Sequence, residues 1–97
     1  MVRPIKKRLV RFSPNTTYFK PRAIPLRLLE EVDLKMDELE AIRWCDFENL
    51  DQIEAAKKME ISQSTLQRVL ESARHKIAEA LIKGKAIRIN EGRKQGK

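Results

Sequence analysis

Residues 51–70 read Asp51-Gln-Ile-Glu-Ala-Ala-Lys-Lys-Met-Glu-Ile-Ser-Gln-Ser-Thr-Leu-Gln-Arg-Val-Leu70, and the fold turns on how this stretch is divided. Asp51 stands three residues before Glu54, the pattern of a capping box, so a helix starts there; Ile53 and Ala56 lie on it, and it stops near Met59. Ser62 caps the next helix, in which Leu66, Val69, Leu70, Ala73, Ile77 and Leu81 recur at helical spacing until Gly84 ends it. A break of three residues between two helices predicts a helix-turn-helix spanning about 51–82. Ala56 is small enough to let the second helix cross closely, and Ile61, Leu66 and Val69 are placed to lock the pair. The turn position is Glu60 rather than glycine, and a left-handed non-glycine residue costs roughly 1 kcal/mol.

Upstream, Asp37 with Glu40 suggests another capped helix, with Leu39, Ile42 and Phe47 as its buried stripe and its end near Asn49. Pro25 suits a first helical position, and Leu26, Leu29 and Val32 suggest a turn or two of helix before it. All four prolines (Pro4, Pro14, Pro21, Pro25) fall within residues 1–25, which predicts an extended arm. Lys7–Phe12 and Lys85–Ile89 each suggest a short strand, and the two are candidates to pair. The expected fold class is therefore all-α, a tri-helical helix-turn-helix domain over 26–84. A basic extended arm (1–25) precedes it, a basic strand or tail (85–97) follows, and the chain ends are candidates for a short two-stranded pairing.

Charge is segregated. Residues 1–29 carry +8 with no acid, residues 30–82 carry −6 and residues 83–97 carry +5, within a total of +7. Two basic ends around an acidic middle point to a polyanionic partner, because basic clusters release counterions from phosphate backbones. One cysteine, Cys45, excludes an internal disulfide, and with one histidine, His75, the chain lacks the usual Cys/His zinc set. No metal or cofactor is expected. No apolar run approaches the ~20 residues of a membrane span, and the N-terminus lacks the apolar core of a signal peptide; a cytoplasmic protein with no membrane partner is expected.

On the helix starting at Ser62, the outward side chains are Gln63, Ser64, Gln67 and Arg68, with Glu71 one turn on. Glutamine pairs bidentately with adenine and arginine with guanine in the major groove. Ser62 and its neighbouring amides, with Lys57 and Arg74, are candidates for phosphate contacts. Arg3, Lys6, Lys7, Arg8 and Arg11 are candidates to track the backbone or enter the minor groove. Trp44 reads as a core or interface residue, Cys45 as a small buried hydrophobe and His75 as a solvated side chain. Carboxylates such as Glu30, Glu31, Glu38 and Glu48 read as charged outer faces, and no nucleophile has a base beside it, so an enzyme is not expected.

The run from Asp37 to Leu81 resembles region 4 of bacterial sigma factors. The whole chain is more closely similar to a family of small prokaryotic proteins, domain of unknown function 134 (uncharacterised protein family 0251). VRPIKKRLVRF, YFKP with IPL, DELEAIR, STLQR with SARHKIAEAL, and GKAIRI carry the likeness over roughly residues 3–89. That family often has cysteines in the arm where this chain has Lys7 and Arg11, and glycine where it has Glu60. The resemblance implies a DNA-binding protein, here a sequence-specific transcriptional regulator of double-stranded DNA, with a homodimer as one way to read paired half-sites. A module docking on the transcription machinery and an RNA-binding protein are the alternatives.

Overall fold

A computed structural model of the chain describes residues 17–90. The elements in order are β1 (Tyr18–Phe19), a 3-10 turn (Leu26–Leu28), β2 (Glu31–Lys35), α1 (Met36–Ile42), a π-helical turn (Arg43–Phe47), α2 (Gln52–Met59), α3 (Gln63–Lys83) and β3 (Ala86–Asn90). The strands form one mixed sheet in the order β1-β3-β2, with β1 antiparallel and β2 parallel to β3. This corrects the all-α expectation: the chain has a three-stranded sheet beside its three helices, with α1 and α3 packed on it and α2 on the helices.

The correction has a local cause. Val32 and Leu34 are buried while Glu31, Asp33 and Lys35 are exposed, the period-two pattern of a half-buried strand. Spacing from Leu26 to Leu29 to Val32 mimicked a helix. Only the turn at Leu26–Leu28 is helical, and its leucines are exposed. The strand expected at Lys85–Ile89 exists as β3, yet it is the central strand, paired with Glu31–Lys35 and Tyr18–Phe19. The other expected strand, Lys7–Phe12, lies outside the described residues, as do Arg3, Lys6, Lys7, Arg8 and Arg11.

Two apolar clusters meet at Ile42. One, under α2, contains Ala41, Ala55, Ala56, Met59, Leu66 and Leu70, with Trp44, Cys45, Leu50, Ile61 and Val69 packed on it. The other joins helices to sheet through Leu34, Ala73 and Ile89, with Met36, Leu39, Ile77 and Ile87 around them. Phe47 and Leu81, both expected inside, are 77% and 75% exposed. Phe47 is turned out because the helix widens to i→i+5 bonding at Arg43–Phe47, where the Glu48 amide donates to the Arg43 carbonyl at 2.8 Å. Leu81 lies beyond the last position that α3 buries, Ala80.

The helix preceding the π turn is capped differently from the Asp37–Glu40 reading. Lys35 takes the N-cap place, and its amide donates to Glu38 Oε1 at 2.8 Å. Glu38, expected on an outer face, is 5% exposed. It also accepts from Ser72 Oγ at 2.5 Å and Lys76 Nζ at 2.9 Å, tying α1 to α3. The same groups seal the outer edge of β2. The Ala86 amide donates to the Glu30 carbonyl, so alternate residues turn their peptides to β3 and Asp33 and Lys35 turn theirs outward. Lys76 Nζ donates to the Asp33 carbonyl at 2.7 Å and Glu38 takes the Lys35 amide, leaving that edge poorly suited to adding a strand.

Candidate nucleic-acid interface

Asp51 caps α2 by accepting the Glu54 amide at 2.8 Å, and the helix runs to Met59 as its sequence predicts. Glu60 then takes the left-handed conformation, φ 61° and ψ 43°. Its amide donates to the Ala56 and Lys57 carbonyls, and the Ile61 amide to the Ala56 carbonyl at 3.1 Å. These bonds satisfy the last carbonyls of α2 and reverse the chain, offsetting the backbone cost of a Cβ in this region. Ser62 Oγ accepts the Thr65 amide at 3.1 Å and opens α3. Ala56 and Leu66, 5% and 0% exposed, sit in the cluster that holds α2 against α3. At its far end Gly84, φ 69°, closes α3 as expected.

The first turns of α3 leave Gln63, Ser64, Gln67 and Arg68 exposed. Among the described residues Gln63, Gln67 and Arg68 make no side-chain hydrogen bond or ion pair. Ser64 Oγ lies 3.3 Å from Ser62 Oγ, and Ser62 Oγ donates to Thr65 Oγ1 at 2.9 Å, so the Ser62 hydroxyl serves the cap first. Lys57 is exposed on α2. Lys58 beside it, which the sequence did not single out, stands 5.5 Å from the centroid of the Trp44 ring, while Arg43 lies 4.3 Å from it. Trp44 is thus half-buried between the first cluster and two cations.

Arg74 is placed otherwise. Its Nε and Nη2 grip Asp46 at 3.1 and 2.6 Å, a two-pronged bond between the π turn and α3. The pair is solvent-exposed, with the Arg74 side chain 54% accessible. Cys45, next to Asp46, is half-buried, and burial first, with the Asp46 carboxylate adding to it, pushes its thiol up from the ordinary value. His75 is exposed. No three His, Cys, Asp or Glu side chains come together to hold a metal ion among the described residues. None of the described helices is long and apolar enough to cross a membrane.

The electrostatics of the helix pair are close to neutral. Residues 51–71 contain Lys57, Lys58 and Arg68 against Asp51, Glu54, Glu60 and Glu71, a net −1. The positive charge of the chain is therefore concentrated outside this surface, in residues 1–29 and 83–97.

A family model described as "Protein of unknown function DUF134" matches residues 1–96. The chain belongs to this family. It is similar to UPF0251 proteins from several organisms. The one from Caldanaerobacter subterraneus subsp. tengcongensis is 56% identical over 92 residues, covering 95% of this chain and 78% of that one. Another, from Halothermothrix orenii, is 54% identical over 92 residues, covering 95% of this chain and 68% of its own. That of Thermoanaerobacter pseudethanolicus is 51% identical over 92 residues, with 95% and 78% covered. No solved structure matches. The DUF134 membership agrees with the motifs read along the chain, and the match begins at residue 1, taking in the basic arm.

Proposed function

We propose that this DUF134 protein binds double-stranded DNA as a sequence-specific transcriptional regulator, with α2 and α3 acting as a helix-turn-helix, and that it is a binding protein rather than an enzyme. One observation carries the reading. Gln63, Gln67 and Arg68 project from the first two turns of α3 with no partner among the described residues, on a helix anchored behind them by Leu66 and Leu70. A helix offering donors and acceptors that the other described residues do not use is what base reading requires. The likeness of residues 37–81 to region 4 of sigma factors and the basic ends support the same reading.

The roles follow. Gln63, Ser64, Gln67 and Arg68 read base edges, Lys57 and the Ser62 end of α3 meet phosphate, and Arg3, Lys6, Lys7, Arg8 and Arg11 supply sequence-independent attraction. Arg74, gripped by Asp46, keeps α3 in position. Selection of bound duplexes from a random pool by the full chain tests this: an enriched sequence is expected. Retention without enrichment contradicts sequence reading, and preference for single-stranded RNA over duplex contradicts the choice of nucleic acid. A second reading, docking on a protein partner such as the transcription machinery, draws support from Phe47 and Ile53, 77% and 55% exposed beside half-buried Leu50. Absence of any duplex binding favours it.

A further inference from the structure

The outward surface of α3 changes character along its length. Its first turns show polar side chains, whereas its last two turns expose Ala78, Leu81 and Ile82, the last at 83%. His75, Ala78, Glu79 and Ile82 are spaced i, i+3, i+4, i+7, and with Lys83 they line an open recess of about 440 Å³. Four residues at this spacing form the hole that receives a single side chain of a facing helix in knobs-into-holes packing.

We propose that this recess is a homodimer contact, in which Ile82 of a second copy fills the hole and the two α3 helices cross antiparallel at their C-terminal ends. Complementarity of charge selects a second copy. In a two-fold pairing each patch meets itself, so whatever faces residue i also presents i to its partner. Seating Ile82 between Ala78 and Glu79 of the other copy brings Lys83 of each copy within a turn of Glu79 of the other, giving two ion pairs. Each Glu79 also keeps its own Lys85, at 2.6 Å, which offsets the like charge of the two Glu79 carboxylates near the axis. The apolar knob, the small residue Ala78 and the opposite charges belong to one helical surface, and a copy of that surface supplies a counterpart to each of them. This contact is independent of whether the first turns of α3 read DNA.

Sedimentation velocity of the full chain over a dilution series tests the proposal. A concentration-dependent species of twice 11.3 kDa is expected. Ile82→Glu and Ala78→Arg, both at exposed positions, should abolish it while leaving the far-UV circular dichroism unchanged. Glu79→Lys alone and Lys83→Glu alone should each weaken dimerisation at least about tenfold. Mixing those two variants should restore a dimer, because each copy then offers the other the missing charge. A parent that stays monomeric throughout, a dimer that survives both Ile82→Glu and Ala78→Arg, or a mixture that stays as weak as its components each overturns the assignment.

Discussion

Replacing Glu38 by alanine removes the acceptor on which Ser72 Oγ, the Lys35 amide and Lys76 Nζ converge at 2.5, 2.8 and 2.9 Å. Losing one partner of a buried ion pair costs about 3–5 kcal/mol. The Lys76 side chain is 26% exposed and regains some water, which places the loss at the lower end, about 3 kcal/mol. A chain of this length has roughly 5–15 kcal/mol in total, so the variant forfeits a large share. Urea unfolding followed by Trp44 fluorescence measures the loss. Glu38→Gln, which keeps an acceptor but not the charge, should fall between alanine and the parent. Burial raises the Glu38 carboxyl, but the donors from Ser72, Lys35 and Lys76 together outweigh it and hold the group below the usual carboxylate range. A lowered carboxyl stabilises the fold above its unfolded value, and that stabilisation disappears as pH falls through the folded value. The gap between parent and Glu38→Gln must therefore narrow on acidification. A loss from Glu38→Ala below about 1 kcal/mol, or a gap that widens in acid, refutes the role given to this carboxylate.

Four further outcomes follow from the same structure. Arg68→Ala should cost about 1–3 kcal/mol on a selected duplex and relax one base position, read by fluorescence anisotropy; equal losses on all sequences would make it a phosphate contact. Neutralising Arg3, Lys6, Lys7, Arg8 and Arg11 together should lower the log–log salt slope of duplex binding by about 4.5, and an unchanged slope would exclude the arm from the complex. Alkylation of Cys45 at neutral pH should be slower in the folded chain than in urea, since burial and Asp46 raise its thiol. Gly84→Ala should lower stability by about 1–2 kcal/mol through backbone strain alone, because its φ is 69° and nothing lies within 4 Å of an added Cβ. Thermal unfolding reads that change.

What the sequence disclosed was mostly local. The Asp51 and Ser62 caps, the turn at Glu60 and the stop at Gly84 depend on neighbours a few residues away, so α2 and α3 were legible to within a residue. β2 was not, because Val32 also continued the helical spacing of Leu26 and Leu29, and the strand's partner lies more than fifty positions downstream at Ala86–Asn90. The burial of Glu38 escaped for the same reason: its partners Ser72 and Lys76 belong to a distant helix, and a carboxylate in isolation reads as solvated. The alternation of Glu31 to Lys35 was the one available clue. At the candidate interface, exposure of Gln63, Gln67 and Arg68 followed from the helical period. The commitment of Arg74 to Asp46 required the π turn, which no spacing rule revealed.

Amide chemical-shift mapping of the full chain during titration with a selected duplex tests the DNA-reading proposal most directly. The largest changes should fall on Ser62–Arg68 and the C-terminal end of α2, with Leu66 and Leu70 remaining packed. Changes that gather elsewhere while Gln63, Gln67 and Arg68 stay silent would contradict it.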